Sequence, residues 1–432
     1  MKPQPAGERA ESRSMPGGAV GGALDRVLDR VLGRACDARV WAHQTAAVRI
    51  GMAGVWLLLL VHEFWRRERI WGPDAPWSWR LAEHSLDRSH AFSVLRWSGG
   101  ALWFEVFYVL SAAVAVALLL GWRTRTASLL FLISVVSLDH RNENVLNAGD
   151  TIFRITAVYL VFTRCAQVWS LDARRRGRAP EAGGRTGVAL WSLCGLVLTW
   201  ATLLARLSGG WALLLWGCWA GQAVWRGVRG RPGVRRTLEL IGHLLHNGAV
   251  AMMMIQLCLL YGSAGWYKIQ GAPWQDGTAV YWSAGLDWLE PYPALSHALS
   301  SHALTVLALT YGTVLVQVAF PFSLLDRRVK NVLLALLFAE HIGIGLLLGL
   351  PYFSLSMIVA DLVFLPTGFL VAAGDRVAGP WRRPADGSGR PAPDARGAEA
   401  GLAARSARSA GSAGSAGSAK GDGVTPSWRA SC

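Results

Sequence analysis

The chain has little of what marks a secreted disulfide protein, a nucleotide-binding enzyme or a soluble domain. Its six cysteines show no paired spacing, so no disulfide framework and no zinc site is predicted. No Walker-type loop, dinucleotide fingerprint, nucleophile elbow or HExxH motif occurs. Charged residues make up only 16% of the 432 residues, whereas 52% are hydrophobic. An early apolar stretch is also lacking, so we expect no cleavable signal peptide and a first membrane span that acts as an uncleaved anchor.

Lysine is scarce. The chain has four lysines, Lys2, Lys268, Lys330 and Lys420, and all other basic side chains among its 43 are arginine. A lysine kept at a membrane is a candidate for chemistry, because an amine can lose its proton near neutral pH and a guanidinium cannot. Lys268 is such a candidate, since it stands among aromatic and apolar residues where a long apolar segment ends. The alternative is an interfacial lysine that reaches toward lipid headgroups.

Apolar stretches of spanning length recur along the chain, each needing about 20 residues at helical rise. Because open sheet edges cannot lie in hydrocarbon, we predict an all-α, polytopic integral membrane helix bundle with about ten transmembrane helices. Three of the stretches (126–138, 151–163 and 211–225) are short and are expected to tilt or partly re-enter. The full predicted set is 45–62, 101–121, 126–138, 151–163, 187–206, 211–225, 247–265, 303–325, 332–350 and 353–371.

Composition divides the chain into three parts. Residues 1–44 form a basic cytosolic tail with a short amphipathic helix expected around 24–32, and residues 45–372 form the transmembrane domain. Residues 373–432 are rich in Ala, Gly, Ser and Arg, cannot bury enough apolar surface to fold, and are predicted to be a disordered cytosolic tail. The polar linker 174–186 would divide the bundle into two halves.

The basic residues behind the net charge of +15 are concentrated in the predicted loops, which argues against a nucleic-acid-binding surface. If the N-terminus is cytosolic and all ten spans cross, every arginine-rich loop falls on the cytosolic side, which is the positive-inside pattern. We therefore predict a multi-pass protein of the cell membrane with both termini in the cytosol, the lipid bilayer as partner and no nucleic acid. Lys268 then lies on the extracytoplasmic side.

Polar residues concentrate in the predicted external loop 139–150. Asn144 and Asn147 offer hydrogen bonds suited to an amide, quinone or carboxylate ligand. Asp150 and Arg154, at positions i and i+4, could pair on one helix face. The alternative is a solvated turn with a helix cap.

Charges inside the predicted spans are a second candidate. A lone carboxylate at that depth costs several kcal/mol unless it is protonated or paired, so Glu340, His341 and Asp361 are expected to face inward and lie close together. A purely structural polar contact between helices would explain them equally. Glu239, His243 and His246 share a helix face, but this spacing is weak, and no metal is expected.

Three motifs together resemble the horizontally transferred transmembrane (HTTM) domain family, which includes the membrane domain of vitamin K-dependent gamma-carboxylase and bacterial relatives of the sporulation-delaying protein B type. The resemblance covers roughly residues 45–370. The motifs are Asn147-Ala148-Gly149-Asp150-x3-Arg154 with Trp169–Asp172, Ala264–Lys268 with Trp274-Gln275-Asp276-Gly277, and Glu340–Gly343 leading to Tyr352–Ser354.

The resemblance implies a carboxylase-like lyase on the extracytoplasmic face. Lys268 falls on the family's base, which deprotonates a reduced quinone of the vitamin K or menaquinol type. Oxygenation of that quinol is coupled to removal of a proton from a substrate glutamate, to which CO2 adds. An apolar, aromatic surround disfavours the ammonium and so suits a base. The implied substrate- or quinone-binding residues are Asn144, Asn147, Asp150, Arg154, Trp274, Asp276, Glu340 and His341.

Two departures separate the chain from the carboxylases. Ala148 follows Asn147 where they have a histidine, and residues 373–432 differ from their large lumenal region, which argues against propeptide-directed carboxylation. Two hypotheses therefore stay open. One is a quinone-dependent enzyme that modifies a secreted peptide with Lys268 as base. The other is a non-catalytic membrane protein for maturation or export of such a peptide. A transporter is less attractive, because matched broken spans are scarce.

Overall fold

A computed structural model describes residues 40–176, 185–204, 206–207, 209–228, 231–286 and 291–378. The amphipathic helix expected around 24–32, residues 379–432 of the predicted tail and most of the linker 174–186 lie outside these ranges. Within them the chain is all-helical and has no strand, as predicted. Short 3-10 turns at Val94–Trp97, Glu143–Val145 and Leu362–Phe364 join some of the α-helices.

The α-helices are numbered here in chain order over the described ranges. They are α1 (Ala42–His62), α2 (Arg67–Trp71), α3 (Trp79–Ser89), α4 (Ala101–Leu120), α5 (Thr124–Asp139), α6 (Ala148–Phe162), α7 (Leu171–Arg176), α8 (Arg185–Leu203), α9 (Gly209–Gly227), α10 (Pro232–Gln270), α11 (Ala272–Gln275), α12 (Ala279–Ala284), α13 (Pro293–Ser300), α14 (Ala303–Ser323), α15 (Arg327–Leu347), α16 (Pro351–Asp361) and α17 (Thr367–Ala378).

Five of these helices, α1, α4, α10, α14 and α15, are long and apolar enough to cross a membrane. Each covers most or all of a predicted span, so the chain carries the helices of a membrane protein. The prediction of ten spans is not confirmed, because α5 and α6 have only 16 and 15 residues. Helix α8 offers an apolar stretch at Gly187–Leu203 that is shorter than the five. The predicted span 211–225 coincides with α9, which has 19 residues.

The last predicted span, 353–371, is broken. Pro351–Phe364 and Thr367–Val377 are each helical, but they are bent by 115° with respect to one another. Pro366 lies at the break. Proline cannot donate a backbone hydrogen bond, and it pushes the residue before it out of the helical region, so a straight helix cannot pass through this point. The pair counts as at most one span.

Helix α1 lies at the centre of the bundle, against α4, α16 and α6. The longest helix, α10, packs along α14 and also touches α6. Close approach depends on small residues. A Cβ added to Gly51 of α1 would lie 2.7 Å from the Val359 side chain of α16, and one added to Gly265 of α10 would lie 2.5 Å from Val318 of α14. Glycine at these positions is what lets the helices meet.

A fully buried arginine ties the central helix to its neighbours. Arg49 of α1 is 0% exposed. Its guanidinium donates to the backbone carbonyls of Leu118 and Leu119 (the latter at 2.8 Å) at the end of α4, where Gly121 N also donates to the Leu118 carbonyl at 3.0 Å. It also donates to the carbonyls of Cys165 (3.3 Å) and Trp169 (2.7 Å). One guanidinium thus provides hydrogen-bond donors to backbone carbonyls at the end of α4, at Cys165 and at Trp169.

We expect Arg49→Met to destabilise the protein by about 3 kcal/mol, because it leaves several buried carbonyls without donors. Thermal unfolding of the purified protein, followed by tryptophan fluorescence, measures the loss. The matched control is Arg69→Met, since Arg69 is exposed. Equal unfolding temperatures for the two variants would contradict the structural role given to Arg49.

Candidate functional site

The end of α10 presents a line of residues toward α14 and α15. Tyr261, Gly265 and Lys268 follow at helical spacing on one face. Side chains on a helix lean toward its N-terminus, so the long Lys268 stem near the end of α10 is directed back along the helix. Tyr261 and Gly265 are buried, whereas Lys268 is partly buried.

Lys268 is joined to Glu340 through a glutamine. The Lys268 Nζ donates to Gln317 Oε1 at 2.9 Å, and the Gln317 Nε2 donates to Glu340 Oε1 at 2.5 Å. The Lys268 Nζ also lies 5.3 Å from the centre of the Trp274 ring, within reach of a cation–π contact. Gln317 is only 5% exposed. The amide therefore separates two groups of opposite charge that would otherwise pair directly.

A second polar chain lies beside the first. Tyr261 Oη donates to Asp361 Oδ2 at 2.6 Å and lies 3.1 Å from His341 Nε2. All three side chains are nearly inaccessible, with 1%, 0% and 2% exposure respectively. Because the one hydroxyl hydrogen goes to Asp361, His341 Nε2 carries the hydrogen shared with Tyr261, and Nδ1 carries a lone pair. Tyr261 thus brings His341 and Asp361 together, as expected for these residues. Glu340, the third residue of that expectation, is the neighbour of His341 in the chain.

We call Tyr261, Lys268, Gln317, Glu340, His341 and Asp361 the Lys268 cluster. Four buried polar atoms in or beside it have no hydrogen-bond partner in the described structure. Buried polar groups are normally satisfied, so such atoms mark places where a ligand or water can bind. The four atoms are Glu340 Oε2, His341 Nδ1, Asp361 Oδ1 and Ser354 Oγ. The first three are acceptors, which suits a ligand that donates from hydroxyl groups.

The Lys268 cluster lies well inside the helix bundle. Gln317 is about 20 Å along α14 from Ala303 at ~1.5 Å per residue, and it is the direct partner of Lys268. The following segment folds back along α14, where the Tyr311 hydroxyl donates to the Gln275 carbonyl at 2.7 Å. The amine of Lys268 is therefore held by a protein group, the amide of Gln317.

The asparagine-rich turn is built as a helix cap. Asn147 Oδ1 accepts from Gly149 N at 2.8 Å, and Asp150 Oδ2 accepts from Asn147 N at 2.7 Å, which together form a capping box at the start of α6. Asn144 is exposed, and its amide donates weakly to Asn142 at 3.4 Å. The hydrogen bonds of these predicted site residues stay within the turn. The alternative of a capped, solvated turn accounts for them.

Arg154 takes other partners than the predicted Asp150. Its Nη1 lies 3.2 Å from His140 Nε2 and 3.8 Å from Asp139 Oδ2. The His140 Nδ1 donates to the Phe92 carbonyl at 2.9 Å, so Nε2 accepts from the guanidinium. Asp150 is instead used by the cap, and this is why the i, i+4 pair does not form.

The turn touches the Lys268 cluster only through packing. A Cβ added to Gly149 would lie 2.9 Å from the Cα of Phe353, and the Phe353 ring is 5.8 Å from that of His341. No hydrogen bond of the described residues joins Asn144, Asn147, Asp150 or Arg154 to Lys268. Asp276 also acts locally, since its carboxylate accepts from Thr278 N at 3.0 Å. Of the eight predicted binding residues, the structure brings Trp274, Glu340 and His341 to the lysine.

Two further polar residues, Glu105 near the outer end of its predicted span and the metal candidate His246, make structural contacts. Glu105 forms an ion pair with Arg67 at 3.0 Å. His246 Nδ1 accepts from Arg164 N at 3.0 Å, and its Nε2 lies 2.9 Å from the Val40 carbonyl. Both ring nitrogens are therefore used by backbone. In the described ranges no three His, Cys, Asp or Glu side chains are grouped so as to hold a metal ion.

Two members of the cluster are absent from the residues proposed on sequence. Gln317 is a lone amide in an otherwise apolar stretch, and an amide at that depth needs a partner as a carboxylate does. Tyr261 precedes Lys268 by seven residues, which is two turns on the same helix face. Both signals are present in the sequence, although neither identifies its partner.

Comparison of the chain with models of protein families, with curated proteins and with solved structures gave no match. The fold and the Lys268 cluster therefore rest on the sequence and its structure. A cavity of about 520 Å³ lies elsewhere, among α4, α5, α8 and α9, and shares no lining residue with the cluster.

Tyr261→Phe should lower stability by about 1–3 kcal/mol, because it leaves Asp361 Oδ2 and His341 Nε2 buried without their shared partner. Tyr267→Phe is the control, since Tyr267 is 73% exposed. Thermal unfolding of both variants in detergent makes the comparison. If Tyr261→Phe unfolded at the wild-type temperature, the hydroxyl would not hold this part of the cluster.

Acidification should destabilise the loop after α5 through His140. Burial lowers the pKa of His140 below its ordinary value, and the Arg154 guanidinium lowers the pKa further, although the hydrogen bond to Phe92 acts the other way. The unfolded chain then binds the proton more readily, so stability should fall as pH drops through about 6.5.

The test is the slope of unfolding temperature against pH between about pH 7 and pH 5, a range that spans the ordinary histidine pKa. His140→Asn should be less stable throughout but should show a flatter slope. The exposed His84 provides the control His84→Asn, which should keep the wild-type slope. A wild-type slope in His140→Asn would remove His140 as the cause.

Proposed function

We propose that this membrane protein is a quinol-dependent enzyme of the carboxylase-like type, with Lys268 as the base. Its substrate would be a peptide on the extracytoplasmic side. The single observation that carries the proposal is the hydrogen-bonded series Lys268–Gln317–Glu340, in which a partly buried amine lies near a carboxylate without an ion pair. Membership of the HTTM family belongs to the same proposal and rests on the three motifs.

A base needs a free lone pair. In a neutral amine, Lys268 would give one hydrogen to Gln317 and keep its lone pair for a substrate proton. Gln317 would hold the amine in place, and Glu340, reached through the Gln317 amide, would stabilise the charge that appears on Nζ after proton transfer. The Trp274 ring favours the same cation.

The residues around the lysine fit a reduced quinone. A quinol donates from two hydroxyl groups, and the cluster has unpartnered acceptors at Glu340 Oε2, His341 Nδ1 and Asp361 Oδ1. When bound, the quinol would supply the reducing equivalents of the oxygenation. Phe353 and Phe320 give an aromatic border to the same region, with ring centres 5.8 Å from His341 and 5.5 Å from Tyr261 respectively.

The second candidate is a non-catalytic protein for maturation or export of a secreted peptide. The observation that favours it is the capping role of Asn147, Asp150 and Asp276, because residues that hold local turns are not available for chemistry. In that case the Lys268 cluster would bind a peptide, and a positive charge at position 268 would be sufficient.

Replacing Lys268 by arginine separates the two, because arginine keeps the charge but cannot act as a base. Purified protein is supplied with menaquinol and oxygen, and the oxygenated quinone is quantified by chromatography. We expect Lys268→Arg to lower the rate by about 100-fold or more, in the range of general-base catalysis.

Lys330→Arg is the matched control. The Lys330 ammonium donates to the Phe364 backbone carbonyl at 2.5 Å, which a guanidinium can also do, so the wild-type rate is expected. An unchanged rate in Lys268→Arg would exclude the lysine as base. Loss of activity in both variants would point to a general effect on folding, which the unfolding temperatures would reveal.

A further inference from the structure

The hairpin of α8 and α9 is fastened within itself. The rings of Trp191 and Trp219 are stacked with centres 4.2 Å apart and planes 11° from parallel. Each indole donates to the other residue's carbonyl, Trp191 Nε1 to Trp219 O at 3.1 Å and Trp219 Nε1 to Trp191 O at 3.0 Å. These two reciprocal bonds, which we call the tryptophan clasp, hold α8 and α9 at one separation.

Between this hairpin and helices α4 and α5 lies the cavity of about 520 Å³. That volume is in the range of sites that hold a small organic molecule. Its lining is mostly apolar and includes Trp191 and Trp219 of the clasp. The apolar walls are formed by residues such as Phe107, Leu110, Leu129, Ile133, Leu190 and Val197.

The charged lining is confined to one end, whereas the hydroxyl side chains of Ser111 and Ser134 lie elsewhere along the walls. Arg123 and Thr126 come from the beginning of α5, and Gln222 and Arg226 from the end of α9. Gly187, in the first turn of α8, lies at the same end, where its carbonyl accepts from Arg226 Nη2 at 2.8 Å. The beginnings of α5 and α8 add partial positive charge. The cavity lining contains no aspartate or glutamate.

Outside the cavity the hairpin is apolar and accessible. Leu196 and Leu203 of α8 are 69% and 80% exposed, and Leu213 of α9 is 78% exposed. Side chains of this kind face lipid in a membrane helix. The cavity thus lies beside an exposed apolar surface, and its arginines are at the end that the predicted ten-span topology assigns to the cytosol.

We propose that this cavity binds an anionic phospholipid of the bilayer. An acyl chain fills the apolar part, and the phosphate lies at the end marked by Arg123 and Arg226. Basic recesses between membrane helices on the cytosolic side recognise such headgroups, at about 1 kcal/mol for each arginine or lysine. A zwitterionic lipid lacks the net charge that this end favours. The site is separate from the Lys268 cluster and does not depend on the proposed function.

The carboxylate of Asp172 lies near this end but serves another role. Its oxygens accept from Arg123 N at 3.0 Å and from Thr124 N at 2.9 Å, which caps α5. Asp172 does not line the cavity. The carboxylate keeps its charge in these bonds, and the two arginines of the lining, Arg123 and Arg226, still give this end a net positive charge.

The test uses the full-length protein, stripped of lipid in detergent and titrated with phosphatidylglycerol or phosphatidylcholine of the same acyl chains. Native mass spectrometry measures the bound fraction of each. We expect phosphatidylglycerol to bind more tightly to the wild type. Arg226→Gln should weaken it about fivefold, the fold-change that corresponds to one headgroup arginine, and should leave phosphatidylcholine unchanged. Arg231→Gln, at an exposed residue outside the lining, is the charge control.

A second pair of variants tests the position of the chain. Val197→Trp fills the cavity and should abolish retention of phosphatidylglycerol, whereas Leu196→Trp points a similar bulk at the lipid-facing side and should retain it. Size-exclusion profiles and unfolding temperatures identify a variant that fails to fold, and Arg226→Gln then decides alone. Equal binding of the two lipids, retention in folded Val197→Trp, or a co-purified quinone displaced by Val197→Trp would each overturn the proposal.

Discussion

The protein depends on one constraint, which is that polar groups inside an apolar helix bundle must find partners within the protein. Arg49 meets it by donating to carbonyls of two other segments, and Tyr261 meets it by joining His341 to Asp361. In both cases the partners come from distant parts of the chain. Such contacts fix which helices are neighbours far more specifically than apolar packing does, because an apolar contact can slide and a buried hydrogen bond cannot.

The same constraint explains why the Lys268 cluster stands out. Arg49 uses its donors on backbone that would otherwise be orphaned, so it is complete as a structural element. Around Lys268 the outcome differs, since Glu340, His341 and Asp361 each keep one buried atom without a partner. Eight other buried side-chain atoms of the described residues also lack a partner, but they are distributed along the chain, whereas four lie in or beside this one cluster. That concentration marks a region organised for something other than stability.

The sequence was sufficient for the fold class and for part of the site. Apolar length predicted the helices, and the cost of burying charge predicted that Glu340, His341 and Asp361 would gather. Length and composition alone do not reveal the bend at Pro366, and the proline itself is the signal for it in the sequence. The predicted pairing of Asp150 with Arg154 was wrong. Asp150 can either pair with a residue four positions later or cap the helix by accepting from Asn147 three positions earlier, and in the structure it caps the helix. Gln317 was missed because partners are a property of three-dimensional packing.

The tryptophan clasp determines how the α8–α9 hairpin can respond to force. Its hydrogen bonds lie between the two helices, so displacement of the hairpin as a unit breaks none of them. The resistance to such a movement comes from contacts with the rest of the bundle. They include the partly exposed Arg206–Glu83 ion pair at 3.9 Å, which contributes little, and dispersion contacts along the cavity walls, which weaken gradually with distance. A flexible chain that enters from the side can therefore displace the whole hairpin at low cost in energy, while the distance between α8 and α9 does not change.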